Sequence, residues 1–138
     1  MATPGIKVIG GIVLNSPQGG LDPKVVESAL KQGARIVWLP TLHAENHRRK
    51  EVHSDGILSV RGRRVVPAAE VIFAHIAAAD AILATEHLGA DEIPIVVAAA
   101  SACGVGKIVI THPEHHVVGL NIEAQRALHR NFPVYFER

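Results

Sequence analysis

Ile6-Lys7-Val8-Ile9-Gly10-Gly11-Ile12-Val13-Leu14 runs into Asn15-Ser16-Pro17-Gln18-Gly19-Gly20. Asp22-Pro23 follows, then a stretch closed by Gly33, then Arg35-Ile36-Val37-Trp38-Leu39 before Pro40-Thr41. The first segment is apolar and β-branched, broken only by Lys7 and the glycine pair, and reads as a buried strand over 6–14. Asp22 is an N-cap and Pro23 takes the first helical position, where its missing N–H costs nothing. Val25, Val26, Ala29 and Leu30 supply an apolar stripe, and Gly33 supplies a left-handed stop. Residues 35–39 read as a second strand. Strand, helix and strand within so short a span make a β-α-β unit, the mark of a parallel sheet with a right-handed crossover.

Downstream the alternation pauses and then resumes. Residues 42–66 hold six of the 14 Lys and Arg and three of the nine His, and Ile57–Val60 and Arg64–Val66 flank Arg61-Gly62-Arg63, which predicts a small hairpin. An excursion this long between regular elements is usually functional or mobile. Helices are expected over 67–79, from about 91 to 104, and over 121–130. Strands are expected over 81–84, 107–110 and 134–136. The count is five strands with four helical connections in one α/β domain, 1–138, with no linker or internal repeat.

The composition limits the function classes. A chain of 138 residues that is 48% hydrophobic and 20% charged is an ordinary globular domain, not a disordered one. Lys and Arg number 14 against 13 Asp and Glu, which argues against a dedicated nucleic-acid binder; only 4% aromatic residues leave few stacking platforms. The single cysteine, Cys103, excludes a disulfide framework and a multi-cysteine zinc site. No apolar run is long enough to span a bilayer, and Met1–Gly5 is not a charged leader region. A soluble, cytoplasmic protein is expected. No phosphate-binding glycine motif is present. Nine histidines, however, stand well above a globular background.

The polar residues fall where they can act together. Asn15, Thr41, Thr85-Glu86-His87, Thr111-His112 and Glu137 each follow a predicted strand. In parallel α/β folds ligands bind beyond the carboxyl ends of the strands. Imidazoles delivered by neighbouring strands can share one divalent metal, so His87 and His112 are the sharpest ligand candidates, and His47 in the long loop is a third. At most one of His115 and His116 is expected to join His112. Glu86 and Glu137 are candidates for metal ligand or for general base toward a metal-bound water. Asn15, Thr41, His47, Arg48 and Arg49 are candidates for substrate contact, the arginines for an anionic group. His75 and His129 are expected to be structural.

Four segments together, Gly11–Asn15 with Gly19–Pro23, Val37–Thr41 with Ala44–His47, Ile82–Leu88 and Ile108–Pro113, resemble an uncharacterised family of metal-dependent hydrolase-like TIM barrels. That family is related to the amidohydrolase and PHP (polymerase and histidinol phosphatase) groups. The resemblance implies a partial or truncated TIM-barrel-like fold with metal at the strand C-terminal mouth. It makes His87 and His112 metal ligands, and His47 a contact to metal or substrate. The chain departs from the pattern in three ways: no H-x-H pair precedes His43, no late-strand aspartate is present, and glutamate stands at 86 where glycine is expected.

A metal-dependent hydrolase is therefore expected, with zinc or manganese, acting on a small anionic amide, ester or phosphoester. The alternative is a non-catalytic ligand-binding or subunit-interaction domain with a degenerate metal site. Five strands leave two open sheet edges. Either a homo-oligomer or a partner chain is expected to complete the barrel.

Overall fold

The computed structural model describes residues 5–138. Its strands are β1 (Gly11–Val13), β2 (Ile36–Trp38), β3 (Val60–Arg61), β4 (Arg64–Val65), β5 (Ile82–Ala84), β6 (Ile108–Thr111) and β7 (Val134–Glu137). Its helices are α1 (Pro23–Lys31), α2 (Glu45–Lys50), α3 (Pro67–Ala78), α4 (Ile93–Ala102) and α5 (Ile122–Asn131). Five strands form one parallel sheet in the order β1-β2-β5-β6-β7, and β3 pairs with β4 in an antiparallel hairpin. The first four residues of the expected start lie outside the described residues. Among the described residues no helix is long and apolar enough to cross a membrane.

The sheet order follows chain order, without a reversal. Right-handed crossovers that always step the same way put their helices on one face of the sheet. The core lies on that face. The paired row Ile12, Val37, Leu83, Ile108 and Val134 packs under Val26 and Leu30 of α1, Ile72, Phe73 and Ile76 of α3, Val96 and Val97 of α4, and Leu128 of α5. The opposite row, Val13, Trp38, Ala84, Val109 and Tyr135, carries no helix. Trp38 lies over Gly11 there: a Cβ at Gly11 would come within 2.5 Å of the Trp38 ring and of Ile36 Cγ2.

The local signals hold. The Asp22 carboxylate accepts from Lys24 N at 2.9 Å, Asn121 Oδ1 accepts from Ala124 N at 2.9 Å, and Gly33 has φ +100°. Gly62 and Arg63 both have positive φ (56° and 65°), the two-residue turn whose twist suits a hairpin.

Two expectations need correction. Of the strand expected over 6–14 only Gly11–Val13 pairs, and Ile6, Val8 and Ile9 are 63%, 77% and 56% exposed rather than buried. The β1 edge has no neighbour to bury them. The 42–66 excursion is more than a hairpin, because α2 lies inside it. That helix has no apolar stripe, so periodicity did not reveal it. It is anchored instead by long-range contacts: Glu45 N donates to Ile57 O at 3.0 Å, and Arg48 holds Asp55 through two bonds of 2.9 and 3.0 Å.

Candidate metal centre

Every residue of the site sits on a turn leaving the C-terminal end of a strand, or on α2 packed against those turns. β5 delivers Thr85, Glu86 and His87; β6 delivers Thr111 and His112. Glu86 and His112 both adopt positive φ (51° and 30°) despite carrying side chains. Non-glycine residues hold such backbone only where the surroundings enforce it, and such strain gathers at functional sites. The glycine expected at 86 suits this backbone; here glutamate occupies it and brings a carboxylate into the rim.

The side chains converge. One donor atom each from Glu86, His87 and His112 lies within 4.8 Å of the others. Around a tetrahedral zinc, donors about 3.3 Å apart would be needed, so a small contraction closes the set. His112 Nε2 is buried and has no hydrogen-bond partner. A buried imidazole nitrogen left unpaired is costly, and a cation at the centre of the triad would satisfy it. Two histidines and one carboxylate are a known donor set for catalytic zinc, leaving a position open for water.

His47 reaches the cluster from α2. Its Nδ1 stands 2.6 Å from His87 Nδ1, with the rings stacked at a centroid distance of 4.7 Å. At that separation one ring must carry the proton between them, so the His47 Nδ1, a candidate metal ligand, is instead turned toward His87. Its other nitrogen faces Glu51 Oε1 at 3.4 Å. Glu51, His47 and His87 thus form a chain of the kind that fixes a ligating imidazole's orientation. His115 also joins: its ring lies 5.3 Å from that of His112 and 6.1 Å from that of His87. The His116 ring lies tilted against that of His115, with centroids 4.2 Å apart.

Electrostatics sort the groups. Burial, reinforced by the neighbouring Glu137 charge, pushes the Glu86 carboxyl up to about 7, with the Thr111 hydroxyl partly offsetting. Burial, with His47, His112 and His115 around it, lowers His87 to about 4 and keeps it neutral, the form that ligates metal. Burial and the neighbouring imidazoles also lower His115.

The remaining candidates have other work. Asn15 ties the first two strand ends: its Nδ2 donates to Thr41 Oγ1 at 2.6 Å, and its Oδ1 accepts from Thr41 N at 3.0 Å and His43 N at 3.3 Å. Arg48 engages Asp55 and Glu51, and Arg49 pairs with Glu45 at 3.7 Å, so neither joins the histidine cluster. Glu137 ends β7 beside Thr111, and Arg138 bridges to Glu114 at 2.8 Å.

Sequence reasoning missed the role of Asn46 and read Lys50 only as part of a basic patch with its arginine neighbours. Asn46 Nδ2 donates to the carbonyls of His87 (3.0 Å) and Val117 (2.8 Å); Lys50 Nζ donates to those of His116 (2.7 Å) and Val117 (2.8 Å). Their i, i+4 spacing puts both on one face of α2. The signal was present, but only for a reader who already had the helix.

Fold and cluster together define a parallel β/α protein with a histidine–carboxylate centre on its strand-end rim. Across residues 1–137 the chain matches DUF6282, a family of unknown function, and it belongs to that family. None of the curated proteins and none of the solved structures gives a match.

Proposed function

We propose that this chain is a metal-dependent hydrolase of the amidohydrolase/PHP type, acting on a small anionic amide, ester or phosphoester. The observation that carries the reading is the convergence of Glu86, His87 and His112, with a buried, unpartnered Nε2 on His112. These three residues would hold the ion, zinc or manganese. When bound, the ion would supply Lewis-acid activation of water and of the scissile group.

The chain's own residues do the rest. Glu86 shifts from general base to ligand in this reading, since it lies inside the triad. Glu137, close enough to raise Glu86, is left as the carboxylate that accepts a proton from the attacking water. His47 orients His87, and Thr111 steadies Glu86. The lone Cys103 fits the reducing cytoplasm in which we place the protein. The non-catalytic alternative draws on one observation: the rim is flanked by an open sheet, so the same groups could serve a bound ligand or subunit without turnover.

The test is metal content by elemental analysis, with zinc and manganese titrated into chelator-treated protein by calorimetry. About one ion per chain is expected, with affinity falling at least about tenfold in His87→Ala and His112→Ala. Turnover of nitrophenyl esters, phosphoesters or anilides by the loaded protein separates hydrolase from binding module. A chain that binds neither metal sinks the hydrolase and leaves the non-catalytic ligand-binding or subunit-interaction reading.

A further inference from the structure

Among the described residues, exposed apolar side chains such as Leu42, Val52 and Val71 stand singly, whereas on the sheet apolar surface lies open in three places. On the helix-free face Val13, Trp38 and Val109 are only half buried, and Tyr135 is 64% exposed. Before β1, Ile6, Val8 and Ile9 are exposed. Beyond each edge strand runs a groove, of about 380 Å³ against Ile12, Val25 and Ala29 at β1, and of about 540 Å³ at β7, where Ile122 and Phe136 share the lining with Arg126, His129, Arg130 and Arg138. These grooves lie where the next helix of a continuing β/α array would pack.

We infer that a second copy of this chain closes the sheet, with β7 of each copy pairing in parallel with β1 of the other. The two outer edges belong to one parallel sheet and face opposite ways, so each is the natural partner of the other on an identical chain. The pairing carries both layers across the junction. Ile12 and Val134 share the helix-covered row, and Val13 and Tyr135 share the bare one. A twofold axis along the strands makes both junctions at once and removes all four edges with the fewest copies, whereas head-to-tail addition that does not close on itself grows without end. Stacking the bare faces alone is a poor substitute. Five strands about 4.8 Å apart and about 12 Å long cover only about 300 Å², against about 800 Å² per partner in a stable complex. The paired edges also bring the end of β7, where Glu137 stands, beside the partner's first strand end, walling the open flank of the rim.

This inference rests on the sheet and not on the metal, so the two stand or fall separately. Sedimentation velocity across a concentration series should give twice the chain mass. Ile9→Lys and Tyr135→Lys place a charge in opposite edges at exposed positions, and each should weaken association at least about tenfold. Mixed together, the two variants should associate more tightly than either alone, because the heterodimer keeps one junction free of both charges. Hydrogen exchange on the unsubstituted chain should show the 6–13 and 134–137 amides gaining protection with concentration, which reads the same contact without any variant. A chain that stays monomeric throughout, a dimer indifferent to both charges, or a mixture no tighter than its components overturns the proposal.

Discussion

Glu86 and His87 are adjacent in sequence, and burial moves both toward neutrality from opposite sides. Their effects on stability therefore run against each other. The folded Glu86 carboxyl, at about 7, is above its ordinary value of 4.5. Folding thus favours its protonated form, and that stability is full below about pH 4.5 and lost as pH rises through 7. The folded His87, at about 4, is below its ordinary 6.5, so its contribution is present above pH 6.5 and lost as pH falls toward 4. Between about pH 4.5 and 6.5 the slopes oppose. In metal-free Glu86→Gln only the rising one survives. Thermal melts in chelator should show the variant near wild type at pH 5 and more stable at pH 8, by up to about 3 kcal/mol. Matching pH profiles would mean that Glu86 is ionised and solvated in the free protein. Bound metal should reverse the order, since the ion needs the ionised carboxylate.

At the scale of elements, α2 is the part that makes the rim a site. Six residues cannot hold a helix in water without tertiary support. The support comes from Ile57 and Asp55 on one side and from the turns after β5 and β6 on the other. Asn46 is 3% exposed and bonds two carbonyls from different turns. Gly89 packs so close that a Cβ there would lie 2.9 Å from Asn46 Oδ1. Asn46→Ala leaves the His87 carbonyl without its donor and the Val117 carbonyl with Lys50 alone, and urea unfolding should register a loss of about 2 kcal/mol. Zinc affinity should fall with it, because the His87 backbone is no longer pinned. Lys50→Met keeps the aliphatic stem and exposes the carbonyls to water, so its cost should stay under about 1 kcal/mol. Equal costs for the two substitutions would refute a clamp centred on Asn46.

The whole molecule is built one-sidedly. Four connections step across the sheet in one direction, so the helices and the apolar core share a face while the other is left bare. Phe73 on α3 is the largest side chain with no exposure at all, at the middle of that single core. Phe73→Ala should cost about 3–5 kcal/mol, as deletion of a fully buried aromatic does. Thermal denaturation would show it as the loss of a large part of the about 5–15 kcal/mol margin that a domain holds. A shift of a degree or two would mean the bare face carries more of the stability than its exposure implies.

The sequence by itself determined what local chemistry can specify. The caps at Asp22 and Asn121, the stop at Gly33, the Gly62-Arg63 turn and the strand–helix alternation act within a few residues, and each is where the pattern put it. His87 and His112 were legible because strand ends in a parallel sheet share one rim. The tertiary structure alone decided the rest. It showed that Ile6–Gly10 stays outside the sheet, because a strand is made by its neighbour and β1 has none on that side. It placed α2, a polar helix stabilised by partners many residues away. And it brought His47 to His87 across 40 positions and set His115 beside the same ring, contacts fixed by long-range packing that no spacing along the chain encodes.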